Sequence, residues 1–174
     1  PSQDGVVEID AHGWVQRFVE KPKHGETSSN VVNAGTYVLE PAVLDRIPEN
    51  QKMSIERVVF PAMVADGRLA AMATDDYWID TGRPDTYLQA NLDLIDGSRS
   101  RILSSVGVQA HVAASASITH SVIGDNCVVE DGCVVSDSVL LPGAHIGARV
   151  RLERSLVMGS VGDGASLVDC VVGL

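Results

Sequence analysis

The second half of this 174-residue chain contains no aromatic residue. Trp14, Phe18, Tyr37, Phe60, Tyr77, Trp78 and Tyr87 all lie before residue 100. Cysteine is scarce and distributed the opposite way, with Cys127, Cys133 and Cys170 all in the aromatic-free half. An odd cysteine count without a secretory leader excludes a disulfide framework and points to free thiols in a reducing compartment. There is no C-x-x-C and no neighbouring His pair, which excludes a zinc site, so the thiols are expected as small buried hydrophobes. Positive charge is short: 13 Lys+Arg face 23 Asp+Glu, for a formal net charge of −10. Such a chain repels phosphate backbones, which excludes nucleic acid as a partner. No apolar run approaches the ~18 residues of a spanning helix, and no basic-then-apolar layout opens the chain. With 45% hydrophobic and 21% charged residues the chain is not disordered. A soluble, acidic, cytoplasmic protein with no membrane partner is expected.

What the second half does have is a repeat. Ser121, Ser138, Ser155 and Cys170 occupy the same place in four similar hexapeptides, such as Thr119–Gly124 and Ser136–Leu141. Within that long period runs a beat of about six residues. Val106, Val112, Ile118, Ile123, Val129, Val135, Leu140, Ile146 and Leu152 recur at intervals of five or six. Small residues such as Gly107, Ala113, Gly124, Ser136 and Gly147 follow them. One inward aliphatic per face of a three-sided coil, stacked on its equivalent in the next coil, makes a parallel β-helix. Gly and other small residues permit the tight corners, and rings are absent because so narrow a prism has no room for them. The pattern resembles the hexapeptide-repeat, left-handed β-helix of acyltransferases and sugar nucleotidyltransferases, and the handedness is taken from that resemblance. His111, His120 and His145 fall inside regular repeats with no excursion loop beside them, and are expected as solvent-facing or corner residues.

The first hundred residues read as α/β material. Gly5–Ile9 and Trp14–Val19 form a hairpin through Asp10–Gly13, and Pro22 stops its second strand. After a polar loop comes an apolar run from Val31 to Leu39. Ser54 is placed to cap a helix over Ile55–Ala65, with Gly67 as its stop. Leu69–Thr74 and Tyr77–Ile79 are expected as short strands, with Trp78 in the core. Pro84 opens a helix with an apolar stripe of Tyr87, Leu88, Leu92 and Ile95, closed by Gly97. The expected domains are 1–97, a linker at 98–101, and the β-helix at 102–174.

Three motifs stand in order: Phe18-Val19-Glu20-Lys21-Pro22, Asn33-Ala34-Gly35-Thr36-Tyr37, and Trp78-Ile79-Asp80-Thr81-Gly82-x-Pro84. With the β-helix behind them, they resemble successive motifs of the sugar-1-phosphate nucleotidyltransferases. The stretch Ser54–Met63 leans towards the mannose-1-phosphate guanylyltransferase branch. The resemblance implies condensation of a nucleoside triphosphate, GTP in that branch, with a sugar 1-phosphate such as mannose 1-phosphate. It implies that Lys21 holds the sugar phosphate and that Glu20 and Asn33 hydrogen-bond sugar hydroxyls. Gly5 would let the backbone approach the hexose, and Asp80 would be a carboxylate ligand of Mg²⁺. On structural grounds alone, Glu20 and Lys21 read as solvated edge charges, Asn33 as a turn residue and Asp80 as a helix N-cap.

The family's Gly-rich, basic triphosphate loop has no counterpart before residue 20, and Asp4 stands where the family tends to an aromatic. The chain is therefore expected to correspond to the C-terminal portion of such an enzyme, inactive alone and self-associating through its tail. Two alternatives are a non-catalytic regulatory paralogue that senses a nucleotide sugar and a hexapeptide acyltransferase.

Overall fold

The structure, a computed structural model, describes residues 5–97 and 104–173. Asp4 and the expected linker at 98–101 lie outside the described residues. The chain packs as two compact units, one reaching to Asp76 and the other starting at Tyr77. No helix among the described residues is long and apolar enough to cross a membrane.

The first unit is organised by the expected hairpin. Strands β1 (Gly5–Ile9) and β2 (Val15–Glu20) pair antiparallel, with Gly5 opposite Glu20 and a register shift at Glu8/Ile9. Asp10 sets the turn: its Oδ1 accepts from the backbone N–H of His12 (2.8 Å) and Trp14 (3.0 Å). Gly13 supplies the positive φ of 84° that the turn needs. The run after the polar loop flanks β1, where Val6 bridges Val32 and the Asn33 N–H donates to the Gly5 carbonyl (2.8 Å). Beyond that bridge, Val31–Leu39 forms no strand, and of Leu69–Thr74 only Ala70 pairs, with Trp14. Both stretches have strand composition, but among the described residues no neighbouring strand extends their ladders.

Helices close the unit from one side. Pro41–Arg46 forms a 3₁₀ turn that sequence reading did not anticipate. Ser54 caps as expected, its hydroxyl accepting from the Arg57 N–H (3.2 Å), but the helix behind it comes in two parts. Ile55–Val59 is wide-turned, and α1 proper is Phe60–Ala65. Pro61 has no N–H to donate back one turn, so the chain before it opens into the wider i→i+5 pattern. Gly67, at φ 64°, ends the element. Val43, Val59, Phe60 and Met63 make the buried core, with Phe18, Ile47 and Leu69 packed around it.

The second unit is a parallel β-solenoid of about four turns, carrying one helix, α2 (Pro84–Ile95). Strands β3 to β14 fall in three four-stranded sheets. One contains β3 (His111–Val112), β6 (Val128–Val129), β9 (His145–Ile146) and β12 (Ser160–Val161). The second contains β4 (Ser117–Thr119), β7 (Val134–Ser136), β10 (Arg151–Glu153) and β13 (Ser166–Val168). The third contains β5 (Val122–Ile123), β8 (Val139–Leu140), β11 (Leu156–Val157) and β14 (Val171–Val172). Ser117 pairs with Val134, Val134 with Arg151 and Arg151 with Ser166, so the coils are 17, 17 and 15 residues long. The shortening falls at one corner. Ile123 to Val128 and Leu140 to His145 each span four intervening residues, whereas only Met158 and Gly159 separate Val157 from Ser160.

The inward aliphatics behave as the six-residue beat requires. Ile123, Val129, Val135, Leu140, Ile146 and Leu152 are fully buried, Val112 and Ile118 pack against them, and Val106 is the exposed exception. Cys127 and Cys133 are buried free thiols, and burial pushes the Cys127 thiol up; Cys170 is half-buried. Gly124 is sterically required, because a Cβ there would lie 2.7 Å from the Leu140 carbonyl of the next coil.

A ladder of buried hydroxyls runs down one edge. The Ser121, Ser138 and Ser155 hydroxyls donate to the carbonyls of Thr119 (2.8 Å), Ser136 (2.7 Å) and Glu153 (2.9 Å). Each then accepts the N–H of its counterpart one coil on: Ser138 and Ser155 at 3.0 Å, Cys170 at 3.2 Å. The residue before each rung sits at positive φ: His120, Asp137, Arg154 and Asp169. These corner residues alternate in charge when His120 is protonated, and Arg154 grips Asp169 through two hydrogen bonds (2.7 and 2.9 Å).

Two further expectations fail here. Tyr77–Ile79 is not a strand, and Trp78 is 44% exposed rather than core. Among the described residues no strand pairs with the segment, which leads into α2.

Candidate functional site

In the first unit Gly5, Glu20 and Asn33 come together. Strand pairing sets Gly5 opposite Glu20, and the backbone bond from Asn33 N–H to the Gly5 carbonyl brings Asn33 to the other side. A Cβ on Gly5 would meet Glu20 Oε2 at 3.0 Å, the Phe18 ring at 3.3 Å and Asn33 Cβ at 3.4 Å. Gly5 is thus a close-packed position, where a side chain would crowd Glu20, Phe18 and Asn33. Lys21 follows Glu20 at the end of β2, exposed, and its φ of 54° lies in a region that residues other than glycine seldom occupy.

Two residues join this cluster that sequence reading did not assign to it. The Tyr37 hydroxyl accepts from Asn33 Nδ2 (2.7 Å) and donates to Glu56 Oε1 (3.2 Å). Asn33 Oδ1 in turn accepts from the Gly35 N–H (3.2 Å), so the amide is fixed at both ends. The Tyr37 ring meets Phe60 edge-on (centroids 4.8 Å), and Phe60 meets Phe18 likewise (5.3 Å). Burial first, and then the charges of Glu56 and Glu20, push the Tyr37 phenol up, while the Asn33 hydrogen bond pulls it down. Tyr37 closes the Asn33 motif and was the available signal. Glu56 had only its place behind Ser54.

Asp80 belongs to the second unit. It is exposed, and its Oδ1 accepts from the Gly82 N–H (2.8 Å) in a local turn rather than capping α2, whose N-cap is Arg83. Its second oxygen is a hard donor of the kind Mg²⁺ takes. Among the described residues no group of three or more His, Cys, Asp or Glu side chains could hold a metal by itself. A lone carboxylate fits an ion that keeps several waters and is held mainly by substrate phosphates, but not an all-protein cage.

The tail histidines are exposed: His111 and His145 stand on strands, with His145 Nε2 2.8 Å from Glu130, and His120 is at a corner.

Residues 1–97 match the nucleotidyl transferase family, and residues 92–171 match the family of GlmU-like C-terminal hexapeptides. The chain belongs to the nucleotidyltransferase family and carries a hexapeptide β-helix as its tail. It is similar to the probable mannose-1-phosphate guanylyltransferase 3 of Oryza sativa subsp. japonica, 38% identical over 163 residues, which is 92% of this chain and 43% of that protein. It is also similar to the mannose-1-phosphate guanylyltransferase catalytic subunit beta of Xenopus tropicalis, 47% identical over 89 residues, 51% of this chain and 24% of that protein. The mannose-1-phosphate guanyltransferase of Schizosaccharomyces pombe is 48% identical over 90 residues, again 51% of this chain and 24% of the relative. The chain spans less than half the length of the curated relatives it matches.

Proposed function

We propose that this chain carries the sugar-1-phosphate side of a reaction that joins GTP to mannose 1-phosphate, giving a nucleotide sugar and pyrophosphate. The observation that carries the reading is the cluster at Gly5, where the residues of two separate motifs, Glu20 and Asn33, converge on one position at which a side chain would be crowded. The similarity to mannose-1-phosphate guanylyltransferases supports the choice of sugar and base. In this reading residues 1–97 are part of the nucleotidyltransferase domain, 98–101 a linker, and 102–174 the scaffold for self-association.

The chemistry is an in-line displacement. An oxygen of the sugar phosphate forms a bond to the α-phosphorus, the bond from that phosphorus to the bridging oxygen breaks, and pyrophosphate leaves with the electron pair. No covalent enzyme intermediate is needed, so the protein contributes position and charge. Lys21 offers a compact ammonium to the sugar phosphate. Glu20 accepts from sugar hydroxyls, and Asn33, held by Tyr37 and Gly35, offers its remaining amide hydrogen in a fixed direction. Asp80 would help hold a Mg²⁺, which when bound neutralises charge on the triphosphate.

The test is a titration of the isotopically labelled chain with mannose 1-phosphate, followed by NMR. Shifts confined to Gly5, Glu20, Lys21 and Asn33, weakened by Lys21→Ala, are expected. A spectrum in which none of these four responds to any hexose 1-phosphate would refute the reading.

A further inference from the structure

Asp80 lies just ahead of a helix whose C-terminal end meets a histidine of the solenoid. The segment bearing it is tied to α2, because the Tyr77 hydroxyl donates to Asp93 Oδ2 (2.7 Å) in the last turn of the helix, and Pro84 begins the helix four residues after Asp80. The helix packs against β5 and β8, burying Leu92 and Val139. At its C-terminal end Asp96 reaches a corner of the solenoid, where His120 Nε2 lies 3.0 Å from Asp96 Oδ1. The other ring nitrogen, Nδ1, lies 2.5 Å from Asp137 Oδ1, the equivalent corner residue one coil on.

This arrangement needs a charged ring. A carboxylate only accepts, so bridging two of them requires both ring nitrogens to carry hydrogen, which only the imidazolium provides. A neutral ring serves one carboxylate and turns a lone pair on the other. We propose that His120 is a positioning residue for Asp80: while protonated it clasps Asp96 to Asp137, seating the end of α2 and the Tyr77–Gly82 segment on the solenoid. The inference rests on the reading of Asp80 as a site carboxylate.

The charged groups bearing on the ring are Asp96 from α2 and Asp137 from the next coil; Asp93 is engaged by Tyr77 and Gln89. The hydrogen bond to Asp137 holds His120 above the usual histidine range; burial pulls the other way, and Asp96 adds to the rise. A histidine raised on folding contributes its full stabilisation below its unfolded value of about 6.5 and loses it as pH climbs through the folded value. The clasp is closed on the acid side of that window and opens on the alkaline side.

Amide hydrogen exchange on the whole 174-residue chain, corrected for intrinsic rates, tests this at about pH 5.5 and about pH 9, either side of the histidine range. In the wild type, amides of Leu92–Asp96 and of Tyr77–Gly82 are expected to lose about fivefold in protection at the higher pH, the scale of an exposed ion pair. His120→Gln and Asp96→Ala should each show the high-pH level at both pH values, with the core amides of Val135 and Ile146 unchanged. Asp96→Ala leaves the His120–Asp137 contact in place, so it reads the clasp even if His120→Gln disturbs the corner. Protection at the end of α2 that ignores pH would overturn the proposal. So would a helix end that loosens while Tyr77–Gly82 does not, or a loss spread equally over the solenoid core. Sugar-phosphate binding plays no part in this readout, so its failure and that of the functional reading are told apart.

Discussion

Replacing Ser138 by alanine should cut one rung of the hydroxyl ladder and little else. Ser138 is fully buried, its hydroxyl accepts the Ser155 N–H (3.0 Å), and it donates to the Ser136 carbonyl (2.7 Å). The carbonyl keeps a partner, since the Arg154 N–H also donates to it (3.1 Å). The Ser155 N–H does not, and Ser155 is itself fully buried. The substitution thus orphans one donor in a dry core, at a cost of about 1–3 kcal/mol. Ser121→Ala orphans the Ser138 N–H and should cost the same. Ser155→Ala orphans the N–H of Cys170, which is half-buried and within reach of water, so its cost should be smaller. Urea unfolding followed by far-UV circular dichroism gives the three values, with exposed Ser117→Ala as the reference. Equal losses for all four variants, or a Ser138→Ala loss within about 0.5 kcal/mol of zero, would refute the ladder argument.

Gly124→Ala should destabilise by about 1–3 kcal/mol or more, because its Cβ meets backbone of the next coil at 2.7 Å, a contact that only separating the coils relieves. Gly143→Ala meets nothing within 4 Å but sits at φ 81°, so a thermal melt should show a smaller loss, about 1 kcal/mol. Gly5→Ala should lower the melting temperature slightly, since its methyl meets Glu20 Oε2 at 3.0 Å, while abolishing NMR shifts with mannose 1-phosphate; unchanged binding would clear this cluster of any role. Light scattering at micromolar concentration should show a species above 18.4 kDa, since β12, β13 and β14 are edge strands of their sheets among the described residues.

The tail was legible almost residue by residue, because a narrow prism admits one solution: an aliphatic inward on each face and small residues at the corners. The 17-, 17- and 15-residue spacing of the serine positions reappears as strand register. Where the two missing residues fall, at Met158–Gly159, was not legible, since a shortened corner leaves the inward pattern intact. The first unit was harder to read. Val31–Leu39 and Leu69–Thr74 have the composition of strands, but a strand is a pairing, and composition does not say whether a neighbour is present. Glu20 and Asn33 were named from ordered motifs and Gly5 from the family resemblance, whereas Tyr37 and Glu56 entered only when side chains from three segments were seen to converge. His120 could be placed at a corner, but its link to Asp96 joins two elements that no local pattern relates.

The hydroxyl ladder has a direction. Every rung accepts from the coil that comes later in the chain, and each serine's own hydroxyl hydrogen is already committed to a carbonyl two residues behind it. A finished coil therefore presents a prepared acceptor to residues that have not yet been laid down. Coils that touch only their neighbours can form one after another. The solenoid is suited to being built in the order in which it is synthesised, each turn serving as the template for the next. A defective rung would then stall the coils after it and leave those before it sound.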